Sequence, residues 1–271
     1  MNGYRESGGC QMEKRLCHIG VSADEVGRYV LIPGSVERAA LISEYFDDPH
    51  EVAHRGGYLT FSGTLEGVPV TVTSTGIGGP AMALAVEELS ECGADTFIRV
   101  GSCASSSLVS KIGDVIIPRG AVRMEGTGDY FLPREFPAVP NYQLFRYLEQ
   151  AASQSGFPYN TGVTITKDSF YTEAAPETKP VHDELAFRWD SYERAGATST
   201  SMECAPLFLL GSAKGLRCAS TMICATNYQT YSNDKQDYPA AWERRAIKVA
   251  IEGLRMLIHV DCSKALGRSH R

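Results

Sequence analysis

Apolar residues recur along this chain in two alternating rhythms. Short aliphatic runs ending in glycine or proline have the character of buried strands, and the stretches after them, with apolar positions three to four apart, have that of amphipathic helices. Tyr29-Val-Leu-Ile32 runs into Pro33-Gly34, and Val36 to Tyr45 then has helical spacing. Tyr58 to Leu65 and Val68 to Ser74 predict a hairpin around Glu66-Gly67, with the second arm leading into Thr75-Gly-Ile-Gly-Gly-Pro80. Ala81 to Glu91 predicts a helix that Gly93 stops. Thr96 to Val100 predicts a buried strand broken at Gly101-Ser-Cys-Ala-Ser105, and Asp114 to Ile117 and Gly162 to Thr166 repeat the strand pattern. Tyr142 to Ser155, Ala205 to Lys214 and Trp242 to His259 predict helices, the last with Ile247, Ile251, Leu254 and Ile258 set to cover a sheet.

Strands and helices alternate with no run of proline, serine or charge between them, which predicts a single α/β domain. The polar, glycine-rich start predicts a flexible arm over 1–15, with the domain spanning 16–262 and a tail over 263–271. With 43% hydrophobic and 21% charged residues among 271, the chain has ordinary globular composition. Its formal net charge of -6 argues against a nucleic-acid backbone as partner, while a local patch remains free to bind the phosphate of a small ligand. The eight cysteines form no CxxC pair and sit among apolar or small neighbours, so buried reduced thiols are expected. Neither a signal-peptide pattern nor a run approaching about 20 apolar residues occurs, so a cytoplasmic protein without a membrane span is expected.

Several residues could carry chemistry. Gly34 follows a strand and Arg38 stands four residues later on the next helix, so a freed amide and a guanidinium could cradle an anion; a solvated arginine is the alternative. Arg99 lies inside a strand pattern, where a charge is costly unless paired or bound to a ligand, and Gly101 and Ser102 follow it. A buried carboxylate partner is the competing reading there. The glycines of TGIGGP let backbone approach a ligand or another chain, yet the segment is neither GxGxxG nor a Walker A loop. Met202-Glu203 opens an apolar segment; its carboxylate could accept both hydroxyls of a vicinal diol, or serve only as an acid at a helix start. The histidines show no metal spacing, and no GxSxG is present.

In order, His18-Ile-Gly, Pro33-Gly34-Ser-Val-Glu-Arg38, His54-Arg55, Ser74-Thr-Gly-Ile-Gly-Gly-Pro80, Phe97-Ile-Arg99-Val-Gly-Ser102, Gly113-Asp114, Glu135-Phe-Pro-Ala138, Asp168-Ser-Phe-Tyr171 and Met202-Glu203 resemble the nucleoside phosphorylase family, and within it the bacterial uridine phosphorylases. The resemblance runs from about residue 16 to about 260. It implies a three-layer α/β/α sandwich with a central mixed sheet, in dimers assembled into a hexamer, and a place in pyrimidine salvage. The implied reaction is reversible phosphorolysis of uridine to uracil and ribose 1-phosphate, with inorganic phosphate as co-substrate and no cofactor or metal. By the same resemblance Gly34, Arg38, Arg99 and Ser102 bind phosphate, together with Arg55 from a neighbouring subunit. Met202 and Glu203 hold the ribose, His18 reaches its 5′-hydroxyl across the subunit interface, and Phe170 and Glu173 line the base pocket. Arg99 and Glu203 carry the catalytic weight.

The chain also departs from that pattern. The glutamine and arginine that usually read uracil are absent from Phe170-Tyr-Thr-Glu173-Ala-Ala-Pro176, and Gly56 replaces an acid linked in some members to a potassium ion. Asn227 stands about where purine-specific members carry a proton-donating aspartate. Glu173 alone would place negative charge beside a departing base anion. The alternatives are a phosphorylase for a different or modified nucleoside, purine included, and a noncatalytic relative that binds nucleoside or phosphate. Cys103 and Cys204 flank the implied site, so sensitivity to thiol reagents is a further expectation.

Overall fold

Alternate residues of the predicted strands face two different cores, and this sets the layering. The computed structural model describes residues 15–105, 109–227 and 240–268. Its strands are β1 (Tyr29–Pro33), β2 (Asp47–Arg55), β3 (Tyr58–Leu65), β4 (Val68–Thr73), β5 (Thr96–Ser105), β6 (Val115–Met124), β7 (Tyr159–Lys167), β8 (Ala197–Ser201) and β9 (Arg217–Asn227). The helices are α1 (Val36–Ser43), α2 (Gly79–Glu91), α3 (Tyr142–Ser155), α4 (Tyr171–Ala174), α5 (His182–Arg194), α6 (Cys204–Lys214) and α7 (Ala240–Arg268). Leu31 and Ile98 pack with residues of α1, α3 and α7, whereas Val30, Ile32 and Phe97 pack with α2 and α6. The sheet therefore lies between two helical layers, as expected of an α/β sandwich.

The strand order is β2-β3-β4-β1-β5-β8-β7-β6-β9, and β9 also pairs with β5. The sheet is mixed: β1 runs parallel to β4 and β5, β5 parallel to β9, and β8 antiparallel to β5. Because β9 returns to β5, the five strands β5, β8, β7, β6 and β9 close on themselves, leaving β2, β3, β4 and β1 as an open wing. No helix of the described residues is long and apolar enough to cross a membrane.

Pattern reading missed β2, β8, β9 and α5 and cut β5 short. The β2 sequence, DDPHEVAHR, is an exposed edge strand whose charges leave no apolar alternation, a usual means of blunting an edge. In β8, ATSTS, hydroxyl side chains are buried between two strands, so the hydrophobic signal is lacking although burial is nearly complete. The expected break at Gly101 does not occur: β5 continues to Ser105, held by β9 through a register extending from Thr96↔Arg217 to Ser105↔Asn227.

A polar junction pins α7 to the sheet. Tyr29 Oη donates to Asp261 at 2.9 Å, and Arg217 Nη1 donates to the same carboxylate at 2.6 Å. Burial, reinforced by the Asp261 carboxylate, pushes the Tyr29 pKa up to about 12. An unfolded tyrosine ionises near ~10, so the stability this neutral phenol contributes is complete below that pH and is lost as pH rises towards about 12. Urea unfolding at about pH 9 and about pH 11.5 should show a shallower alkaline decline for Tyr29→Phe than for the parent. Equal slopes would contradict this account.

Candidate active site

Apart from His18 and Arg55, the residues singled out from sequence lie towards or just beyond the carboxyl ends of β1, β5, β7 and β8, the usual place for a ligand cleft in α/β sheets. At the centre is a buried ion pair between Arg99 Nη2 and Glu203 Oε2, joining β5 to the start of α6. Of the two readings of Arg99, the structure shows the pairing with a buried carboxylate, and that carboxylate is Glu203. The other oxygen, Oε1, accepts from the Gly78 amide at 2.9 Å, and the Met202 amide donates to Oε2 at 3.3 Å. Glu203 occupies the cap position of α6, but its carboxylate makes no capping bond there. Burial works against the Arg99 charge, yet the Glu203 carboxylate overcomes it and raises the guanidinium pKa above its ordinary value. Arg99 Nη1 is buried and has no hydrogen-bond partner among the described residues. An unpaired buried guanidinium edge is costly unless an anion completes it.

Glycine makes this arrangement possible at two places. Arg99 and Gly101 share a face of β5, and a Cβ on Gly101 would overlap Nη1 and Cζ of Arg99. In the glycine loop, Gly78 adopts φ 98°, which aims its amide at Glu203, and a Cβ on Gly79 would stand 2.7 Å from Thr127 Oγ1. The close approach expected of TGIGGP is thus, within one chain, an approach to Glu203.

Arg38 converges on the same strand end. Its Nη1 lies 3.5 Å from the carbonyl of Val100, and its Nε pairs with Glu243 of α7. The Arg38 amide donates to Ser35 Oγ at 3.2 Å, so the α1 cap presents this arginine on the first turn. Gly34 faces the glycine loop, where its Cβ would stand 3.3 Å from the Gly76 carbonyl, and Ser102 is half-buried on β5 two residues past Val100.

The far end of the cleft holds a residue that pattern reading did not single out. Lys167, the last residue of β7, is buried; its ammonium donates to Thr200 Oγ1 at 3.0 Å and contacts the Glu173 carboxylate. The same ammonium lies 5.5 Å from the centre of the Phe170 ring and 5.6 Å from that of Trp189. Burial pulls the Lys167 pKa down to about 7, against the opposing influence of Glu203 and Cys103. Glu173 is therefore paired with Lys167 rather than standing alone. A lysine closing the apolar run GVTIT, three residues before Phe170, was the available signal.

His18 and Arg55 stand elsewhere. His18 Nδ1 is 2.6 Å from Glu88 Oε1, and Glu88 is nine residues beyond Gly79, roughly 14 Å along α2. Arg55 ends the edge strand β2 against Gly20, whose Cβ would lie 3.3 Å from Arg55 Cδ. Among the described residues no hydrogen bond or ion pair joins either of them to Arg38, Arg99 or Glu203.

The thiols next to the site are poor targets. Cys103 and Cys204 are buried, and burial pushes both pKa values up, so neither has the exposed thiolate that a reagent needs. The expectation of site-thiol sensitivity is withdrawn on that ground. Cys17 and Cys262 are exposed, contrary to the uniform burial expected; Cys10 lies outside the described residues.

The sheet between helical layers thus brings two arginines and a buried glutamate together at the strand ends of an α/β fold. A family model described as the phosphorylase superfamily matches residues 28–257, and the chain belongs to that superfamily. A uridine phosphorylase of Treponema pallidum is 39% identical over 244 residues, covering 90% of this chain and 95% of its own. One from Thermococcus kodakarensis is also 39% identical, covering 91% and 88%. A guanosine phosphorylase of Halorubrum lacusprofundi is 33% identical, covering 78% and 82%.

Proposed function

We propose that the protein catalyses reversible phosphorolysis of uridine, giving uracil and ribose 1-phosphate. The carrying observation is the buried, partnerless Nη1 of Arg99 beside Glu203, with Arg38 at the same strand end. Phosphate takes the free edge of Arg99 together with Arg38, the Gly34 backbone and Ser102. Glu203, already fixed by Gly78, accepts the 2′ and 3′ ribose hydroxyls, with Met202 against the sugar. One phosphate oxygen bonds to C1′ as the C1′–N bond breaks, and the bonding pair leaves with the base. The chain supplies no nucleophile; positioning and electrostatic stabilisation do the work. Phosphate is the co-substrate, and no step calls for a cofactor.

Similarity to both pyrimidine and purine phosphorylases supports the reaction class, and the two uridine phosphorylases at 39% identity support uridine. Incubation with a nucleoside panel, with and without phosphate, should yield ribose 1-phosphate only when phosphate is present. Base release without phosphate would instead indicate a hydrolase, and no turnover of any nucleoside would indicate a binding protein.

The proposed assembly is a homo-oligomer in the cytoplasm, built from dimers with shared sites and reaching a hexamer. Its support is the distance of His18 from Glu203 and the position of Arg55 on an exposed edge. A surface groove between α2 and the turn at Thr127–Tyr130 contains His18, with Tyr130 91% exposed on its rim and Ile77 exposed nearby. These are apolar groups a second copy would cover. Arg55→Ala and Arg99→Ala proteins should each be inactive but regain about one quarter of parental activity when unfolded and refolded together, because a mixed dimer restores one intact site. Absence of complementation would refute shared sites.

A further inference from the structure

Lys167 and Glu173 form a buried charged pair, and the ammonium lies 5.6 Å from the ring of Trp189, which belongs to a small apolar cluster with Ile165, Leu185 and Ala197. Such a pair brings little net stability compared with apolar side chains of similar size, so its position calls for another reason. The backbone supplies one. β7 and β8 run parallel with Thr166 opposite Ser201, which places Lys167 level with Met202, about 4.8 Å to the side and one residue from Glu203. The Phe170 ring, proposed to line the base pocket, lies over the same ammonium. The pair thus lies at the end of the cleft where a base attached to the bound ribose would project.

We propose that Lys167 and Glu173 read the edge of the base: the ammonium donates to a ring carbonyl oxygen, and the carboxylate accepts from the adjoining ring N–H. This inference rests on the phosphorolysis reading of the site. An ammonium only donates and an ionised carboxylate only accepts, so the pair complements a lactam edge, as in uracil or the six-membered ring of guanine. In the same pose cytosine sets an unprotonated ring nitrogen, or its amino group, against a like partner and is refused. As the C1′–N bond breaks, its electron pair passes to the base and spreads onto the carbonyl oxygens. A donated ammonium hydrogen bond strengthens with that charge and needs no proton transfer. While Lys167 is protonated its charge offsets that of Glu173, and the departing anion then meets a neutral subsite.

The test is calorimetric titration of uracil in the presence of inorganic phosphate, with which it cannot react, and of inorganic phosphate alone, on the parent and on Lys167→Met. A hydrogen bond to a charged group sets the expected scale: uracil affinity falls at least about 10-fold, while phosphate affinity stays within about threefold. Unchanged uracil affinity overturns the inference, and so does an equal fall in both affinities, which would mark a merely structural lysine. Independently of any variant, the parent should bind uracil at least about 10-fold more tightly than cytosine, and equal binding overturns the inference. If the parent forms no ribose 1-phosphate from any nucleoside, it is the phosphorolysis reading that fails. If it does and Lys167→Met still binds uracil normally, only the role of Lys167 fails.

Discussion

Arg99→Ala is expected to lower kcat/KM for phosphorolysis by roughly 10³-fold, because it removes a preorganised cation from the proposed phosphate site. The same substitution should destabilise the fold. It leaves Glu203 buried with only the amides of Gly78 and Met202 as donors, and stripping one partner from a buried pair costs about 3–5 kcal/mol. The two effects separate experimentally: steady-state kinetics at saturating uridine with phosphate varied, beside urea unfolding of the same preparation. Arg99→Lys tests the geometry. A point charge keeps part of the stability but loses the forked contact that reaches Glu203 with one nitrogen and leaves another for the anion. Near-parental activity in Arg99→Ala would remove Arg99 from the site.

Gly101→Ala is the second large effect and the more discriminating one. One added methyl would overlap the Arg99 guanidinium, so the arginine must leave its place beside Glu203 although its own identity is unchanged. Activity should fall by about 10²-fold or more. Arg99→Ala/Gly101→Ala should be no worse than Arg99→Ala alone, since the methyl then meets no guanidinium; contacting residues of one unit are expected to be non-additive. Additive losses would show that Gly101 acts through something other than Arg99. Kinetics of the three variants with uridine and phosphate decide the matter.

Gly101 also shows why sequence reading stopped where it did. A glycine followed by Ser-Cys-Ala-Ser reads as a strand end, because glycine weakens strands and small polar residues favour turns. In the fold this glycine is a seat for the side chain two residues earlier, and β9 carries the strand onward. The β8 segment failed for a related reason: Thr200 and Ser201 are buried by neighbouring strands, and no local periodicity records that. By contrast Tyr29 to Ile32, the hairpin at Glu66-Gly67 and the helix after Thr75-Gly-Ile-Gly-Gly-Pro80 were legible, because their signals are contained within the segments themselves.

Local chemistry in the chain was sufficient to determine an alternating α/β domain and to single out Gly34, Arg38, Arg99, Ser102, Met202 and Glu203. Gly34, Arg38, Met202 and Glu203 stand at a strand end or helix start, and Arg99 and Ser102 inside a strand where a charge or hydroxyl is conspicuous, and short-range pattern marks both kinds of position. Only the tertiary structure decided that Glu203, 104 positions after Arg99, is its partner, that the Gly78 amide holds the same carboxylate, and that one edge of the guanidinium is left over. It likewise decided that Glu173 is balanced by Lys167 and that His18 belongs to the far end of α2. Those are contacts between strand ends brought side by side by sheet order. Sheet order is set by long-range pairing that no stretch of sequence contains by itself.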